Sequence, residues 1–241
     1  VSGPRAAVAF LTPLGGAAAP RGSALGWFPA VGAAIGALLG VLWWGAGRAW
    51  PRPVAAAVVV AADLAITGLL HVDGLVDSAD GLLPPLDRAR RLAVMAEPQV
   101  GAFGVVCAAA VLVLRFAALD VIAPSVLLLA GLWCGSRTVM AVVPALVPYA
   151  RAETGGLASA FVGAGRAPAV VAGASGVLGL VTLTALWRPV AGLVAAAAGL
   201  VAATGVVWLG RRRLGGYTGD VLGAAGVLFE TVALVAAAAR W

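Results

Sequence analysis

The 241-residue chain is 62% hydrophobic and 11% charged, with a mean hydropathy of +1.04. A water-soluble domain has about a quarter of its residues charged, so composition excludes an ordinary soluble globule and indicates an all-α, polytopic integral membrane bundle. The net charge of +6 comes from arginine alone, with no lysine in the chain, and its placement fits membrane topology better than a nucleic-acid surface.

Apolar runs long enough to cross a bilayer lie near 25–46, 54–71, 101–119, 124–147, 168–186, 190–209 and 219–239. They give about seven transmembrane helices in one domain, 1–241, with no linker and no internal repeat. In the first run Gly32, Gly36 and Gly40 form a GxxxGxxxG stripe on which another helix can approach closely. Trp27, Trp43, Trp44, Trp50, Trp187 and Trp208 lie near run ends, where interfacial anchors are expected. Cys107 and Cys134 sit inside apolar runs without metal or disulfide spacing and read as small buried hydrophobes.

With seven spans, the N-terminal side collects Arg5, Arg21, Arg88, Arg90, Arg91, Arg151, Arg166 and Arg211 to Arg213. The opposite side collects Arg48, Arg52, Arg188 and Arg240. That imbalance puts the N-terminus in the cytoplasm by the positive-inside rule.

The stretch from Thr67 to Gly81, TGLLHVDGLVDSADG, follows the second run on that same side. On a helix turning about 100° per residue, Asp73, Asp77 and Asp80 share a narrow arc, and no basic residue lies in the stretch to relieve them. A divalent cation turns that repulsion into a site, and hard carboxylate oxygens suit Mg²⁺ or Mn²⁺. His71, the only histidine, points away from Asp80 on an unbroken helix and joins the acids only if Gly68 or Gly74 breaks the geometry. It reads equally as a proton-transfer group or a structural hydrogen-bonding one. Asp63 lies deeper in the same run, where an acid is either functional or paired with Arg115 or Arg137.

Two further polar islands fall on the same side, YARAETGG at 149–156 and LGGYTGD at 214–220. Gly-rich turns carrying Thr218 and Asp220 can bring backbone N–H groups close to phosphate, although taken alone the glycines are better accounted for by a plain tight turn. Arg211 to Arg213 read as a topology anchor. Arg137, inside an apolar run, requires an anionic partner, either in a site or on another span. Acids, arginines and Gly-rich turns on one membrane face point to phosphoryl-group transfer.

At these residues the chain resembles the cobalamin synthase family, the adenosylcobinamide-GDP ribazoletransferases. TGLLHVDGLVDSADG is similar to the family's T-G-G-x-H-x-D-G-x-x-D-x-x-D-G element, and Arg91 to Met95 to its R-x-L-x-I-M segment. Gly101 to Gly104, Ser136-Arg137, Tyr149 to Arg151 with Glu153 and Gly156, Phe161 to Gly163 and LGGYTGDVLGA at 214–224 follow in the family's order. Where the chain departs from the pattern, Leu69 replaces the second glycine of T-G-G, and Glu97, Pro98 and Gln99 replace the Asp, Ser and Arg of M-x-D-S-R.

The resemblance implies transfer of α-ribazole, or its 5′-phosphate, to adenosylcobinamide-GDP with loss of GMP. It implies Mg²⁺ held by Asp73, Asp77, Asp80 and Glu97, and a proton accepted by Asp80 or His71. Substrate would be bound by Arg137, Arg151, Glu153, Thr218 and Asp220, with Arg137, Arg151 and the 214–220 turn holding phosphates. It also implies a bacterial or archaeal cell (inner) membrane with a cytoplasmic active face, and leaves oligomeric state open. Two other readings are a lipid-directed CDP-alcohol phosphotransferase and an ion-coupled transporter. The AR expected after DSADG is missing, which disfavours the first; acids at a span end rather than between midplane repeats disfavour the second.

Overall fold

The computed structural model describes residues 3–15, 21–151 and 157–241. Among these the chain is helical, without a strand, and its long apolar helices make it a multi-span membrane protein. A short helix α1 (Gly3–Leu11) is followed by α2 (Phe28–Ala49), α3 (Arg52–Ile66), α4 (Leu70–Leu82) and α5 (Arg88–Val94). The remaining helices are α6 (Ala102–Val121), α7 (Val126–Leu146), α8 (Ala167–Trp187), α9 (Pro189–Leu214) and α10 (Gly219–Ala237).

Burial divides the spans. The most apolar stretches of α7 and α10 are 78% and 72% buried, against 28% for α6 and α8, so α7 and α10 form the centre and the others face lipid. Helix α2 packs most extensively on α7, and its glycine stripe is the reason. A Cβ on Gly40 would lie 2.6 Å from Cα of Val126, and one on Gly36 would run into the Leu129 carbonyl. The backbones meet where no side chain fits. Trp43, expected at the interface, is instead 2% exposed within the core beside Leu39 and Ala46, whereas Trp27, Trp44, Trp50 and Trp208 are exposed as expected.

The helix of the second apolar run does not continue to residue 71. It ends at Ile66, and α3 and α4 meet at 87°. The break uses two successive left-handed residues, Gly68 at φ +59° and Leu69 at φ +62°. Among the described residues six helices are thus long and apolar enough to span, and the α3–α4 pair makes a bent seventh element. Helix α4 lies across one end of the bundle. A Cβ on its Gly74 would sit 2.9 Å from the Asp220 carbonyl at the start of α10, while Asp80 meets the start of α6. Since α6 and α10 both begin at that end, α4 bridges their first turns instead of crossing the membrane.

Candidate active site at the charged end of the bundle

The two polar islands come together through their backbones. Ala150 N–H donates to the Tyr217 carbonyl at 2.8 Å and Tyr217 N–H to the Pro148 carbonyl at 2.9 Å. This parallel pairing has no room for a side chain at 216, where a Cβ would meet the Pro148 carbonyl; Gly215, at φ +80°, ends α9. The Thr218 hydroxyl then accepts from Val221 N–H at 3.2 Å and donates to Asp220 at 3.2 Å, capping α10. Fully buried, Thr218 shapes the turn. Arg151 reaches Asp220 at 3.3 Å and also donates to the Met95 carbonyl at 3.1 Å, tying both islands to the turn after α5.

Helix α4 lays its carboxylates against this turn. Asp73 is exposed, Asp77 half-buried and Asp80 buried. Burial, then the Asp220 and Asp73 carboxylates, push the Asp77 carboxyl up to about 7, and Arg151 only partly offsets them. Asp73, Asp77 and Asp220 therefore carry more negative charge than their cation neutralises. Asp80 is differently committed: its two oxygens accept from Gly101 N–H at 2.7 Å and Gly104 N–H at 2.9 Å, satisfying free amides at the start of α6. Gly101 and Gly104 are needed there, since a Cβ on either would strike that carboxylate. Glu97 is turned to Arg90 at 2.7 Å on the exposed surface. Among the described residues no three His, Cys, Asp or Glu side chains are grouped closely enough to hold a metal ion in this arrangement.

His71 faces inward from the first turn of α4. It is 3% exposed, and among the described residues neither Nδ1 nor Nε2 has a hydrogen-bonding partner. It lines a cavity of about 220 Å³ together with Asp73, Arg151 and Asp220. The helix break that brings His71 here is at Gly68 and Leu69; Gly74 sits inside an intact helix and serves close packing. Glu153 lies outside the described residues.

Arg137 is 1% exposed and paired within the bundle. Its Nη1 lies 2.6 Å from Glu230, and Glu230 also holds Arg115 at 2.6 Å. Arg115 in turn binds Asp63 at 2.6 Å, whose other oxygen accepts from the Trp133 indole N–H at 3.0 Å. Of the alternatives for Asp63, the structure supplies the pairing with Arg115. Two guanidinium groups and two carboxylates thus balance between α3, α6, α7 and α10. Glu230 was not singled out in the sequence, although an acid in the middle of an apolar run was the signal for it.

The polar residues on this end are those whose order resembles one family, and direct comparison decides the matter. Residues 3–238 match the family described as cobalamin-5-phosphate synthase. The chain belongs to this family. It is 39% identical to the adenosylcobinamide-GDP ribazoletransferase of Chlorobaculum parvum, over 91% of this chain and 86% of that one. The Chlorobaculum tepidum protein of the same name is 38% identical over 90% and 85% of the two chains. A Roseiflexus sp. protein, again so named, is 35% identical over 93% and 81%. No solved structure matches the chain.

Proposed function

We propose that this membrane protein is an adenosylcobinamide-GDP ribazoletransferase, joining α-ribazole or its 5′-phosphate to the corrinoid and releasing GMP. A ribose hydroxyl oxygen bonds to the phosphorus attached to cobinamide, the bond from that phosphorus to the GMP oxygen breaks, and GMP leaves with the bonding electrons. The observation that carries the reading is the crowding of Asp73, Asp77 and Asp220 around one arginine, beside an unpartnered histidine, in a chain of this family.

The donor set fits a hard divalent cation, because uncompensated carboxylates at the edge of a membrane bundle are stabilised by one. Asp73, Asp77 and Asp220, not grouped as a metal site in this arrangement, would hold Mg²⁺ once drawn together, and the ion supplies charge stabilisation at the two phosphates when bound. Asp80, saturated by two amides, supports the start of α6 in this reading, and Glu97 remains with Arg90. Arg151 holds a phosphate oxygen. His71 accepts the hydroxyl proton, since among the described residues its ring nitrogens have no other partner and His71 lines the cavity. The positive-inside rule puts this end in the cytoplasm of a cell membrane.

The test is product formation by the purified protein in liposomes with adenosylcobinamide-GDP and α-ribazole. A complete cobamide formed only with both substrates and Mg²⁺, and abolished by EDTA, is the expected result. No cobamide from folded protein would refute the proposal.

A further inference from the structure

Resting on that reading, we infer that the cavity between α1, α4, α7 and α10 is the binding site of the smaller substrate, the nucleoside acceptor, and that Phe10 and Met140 seat its planar base. The cavity has two unlike walls. One carries His71, Asp73, Arg151 and Asp220; the other is formed by Phe10, Leu70, Met140 and Tyr149. A nucleoside divides in the same way, with a flat apolar ring system at one end and a hydroxyl-bearing sugar at the other. With the base on the apolar wall, the sugar lies beside His71 and the carboxylates.

Size assigns the substrate. Small-ligand pockets run from about 300 to 1,000 Å³, and a recess of about 220 Å³ falls below that range, so it takes at most one small ligand such as a nucleoside and excludes a corrin ring. The corrinoid must therefore approach from outside, with only its phosphates reaching the carboxylates. Position assigns the wall. Phe10 is held by Phe28, at 5.5 Å between ring centroids, and by Phe161 at 4.9 Å. A ring fixed on two sides presents a rigid surface, and rigid aromatic surfaces bind flat ligands with little ordering cost. The Tyr149 ring is braced by Tyr217 at 5.2 Å. His71 is the second, independent sign of a ligand, because a buried imidazole with two unsatisfied nitrogens is costly unless something polar arrives to meet it.

The inference predicts a split between the two Michaelis constants. In liposomes, Phe10→Ala and Met140→Ala should each raise KM for α-ribazole about tenfold, the effect of losing an apolar contact. KM for adenosylcobinamide-GDP should stay unchanged. Equal increases in both, an increase for the corrinoid alone, or no change in either would overturn it. A photoreactive α-ribazole carrying an azide on its base, used on the unaltered protein without the second substrate, gives a readout independent of folding and of turnover. Label on the peptides containing Phe10 or Met140, displaced by α-ribazole, is expected; displaceable label elsewhere would overturn the inference. Because labelling needs no catalysis, its failure is distinguishable from failure of the transferase reading, which shows as absent cobamide.

Discussion

Leu69 stands in a left-handed backbone conformation, φ +62°, directly after Gly68 at φ +59°, and the pair turns α3 into α4 so that His71 faces the cavity. A leucine there is strained, and its side chain, 56% exposed, gains little packing in return. The family pattern has glycine at this position. Leu69→Gly should therefore stabilise the protein by about 1 kcal/mol, the cost of a left-handed non-glycine residue. Thermal unfolding in detergent would show a raised midpoint with turnover retained. A lowered midpoint would mean that Leu69 contributes packing worth more than its strain.

Asp77 and Asp80 lie on one helix but have different surroundings, and their substitutions should separate. Asp77→Asn relieves repulsion among the carboxylates, so it should leave the metal-free protein at least as stable while lowering turnover at least about a hundredfold. Asp80→Ala removes the acceptor of two amides and should destabilise the fold by about 2 kcal/mol. Paired unfolding and rate measurements on both variants check this. Identical stability losses would contradict the division of roles.

The pH dependence follows from Asp77. Its folded-state carboxyl titrates at about 7, above the ordinary 3.8. The metal-free protein therefore loses stability as pH rises from 3.8 to about 7, and no further above that, once the carboxyl is ionised beside Asp220 and Asp73. Mg²⁺ should then stabilise more at pH 8 than at pH 6, having no proton to displace. Thermal shifts with and without Mg²⁺ at the two pH values test the sign.

Removing one member of the buried ionic network should be severe. Glu230→Gln leaves Arg137 and Arg115 facing Asp63 alone, and an uncompensated buried charge costs about 3–5 kcal/mol. Arg90→Gln, which breaks an exposed pair with Glu97, should cost about 1 kcal/mol or less. Yield of folded protein on size-exclusion chromatography distinguishes the two.

Close packing along α2 gives a graded test. Gly36→Leu drives a side chain into the Leu129 backbone and should cost about 3 kcal/mol or more, whereas a Cβ added at Gly45 meets nothing within 4 Å, so Gly45→Ala should be nearly neutral.

Legibility in the sequence followed the range of the interactions. Span positions were readable because each depends on a local run of apolar residues; α6, α7, α8 and α10 begin and end within about two residues of the expected limits. The three-aspartate arc was readable for the same reason, since helical spacing alone sets it. The α3–α4 bend was not, because the apolar run continues past Ile66 and only Gly68 marks the turn. Arg137 and Asp63 were recognised as needing partners, but not as sharing Glu230 through Arg115, because that network joins four helices. Phe10 and Met140 carried no signal at all. Each is an ordinary apolar residue in its own helix, and only tertiary packing puts both on a cavity with His71.

The most direct measurement is GMP release from adenosylcobinamide-GDP and α-ribazole, compared in matched liposomes for the unaltered protein, Asp77→Asn, and the surface control Asp87→Asn. GMP formed by the unaltered protein and the control, requiring α-ribazole and Mg²⁺ and absent with Asp77→Asn, is the predicted result. Undiminished GMP release by Asp77→Asn would contradict the assignment of the carboxylate cluster to the reaction.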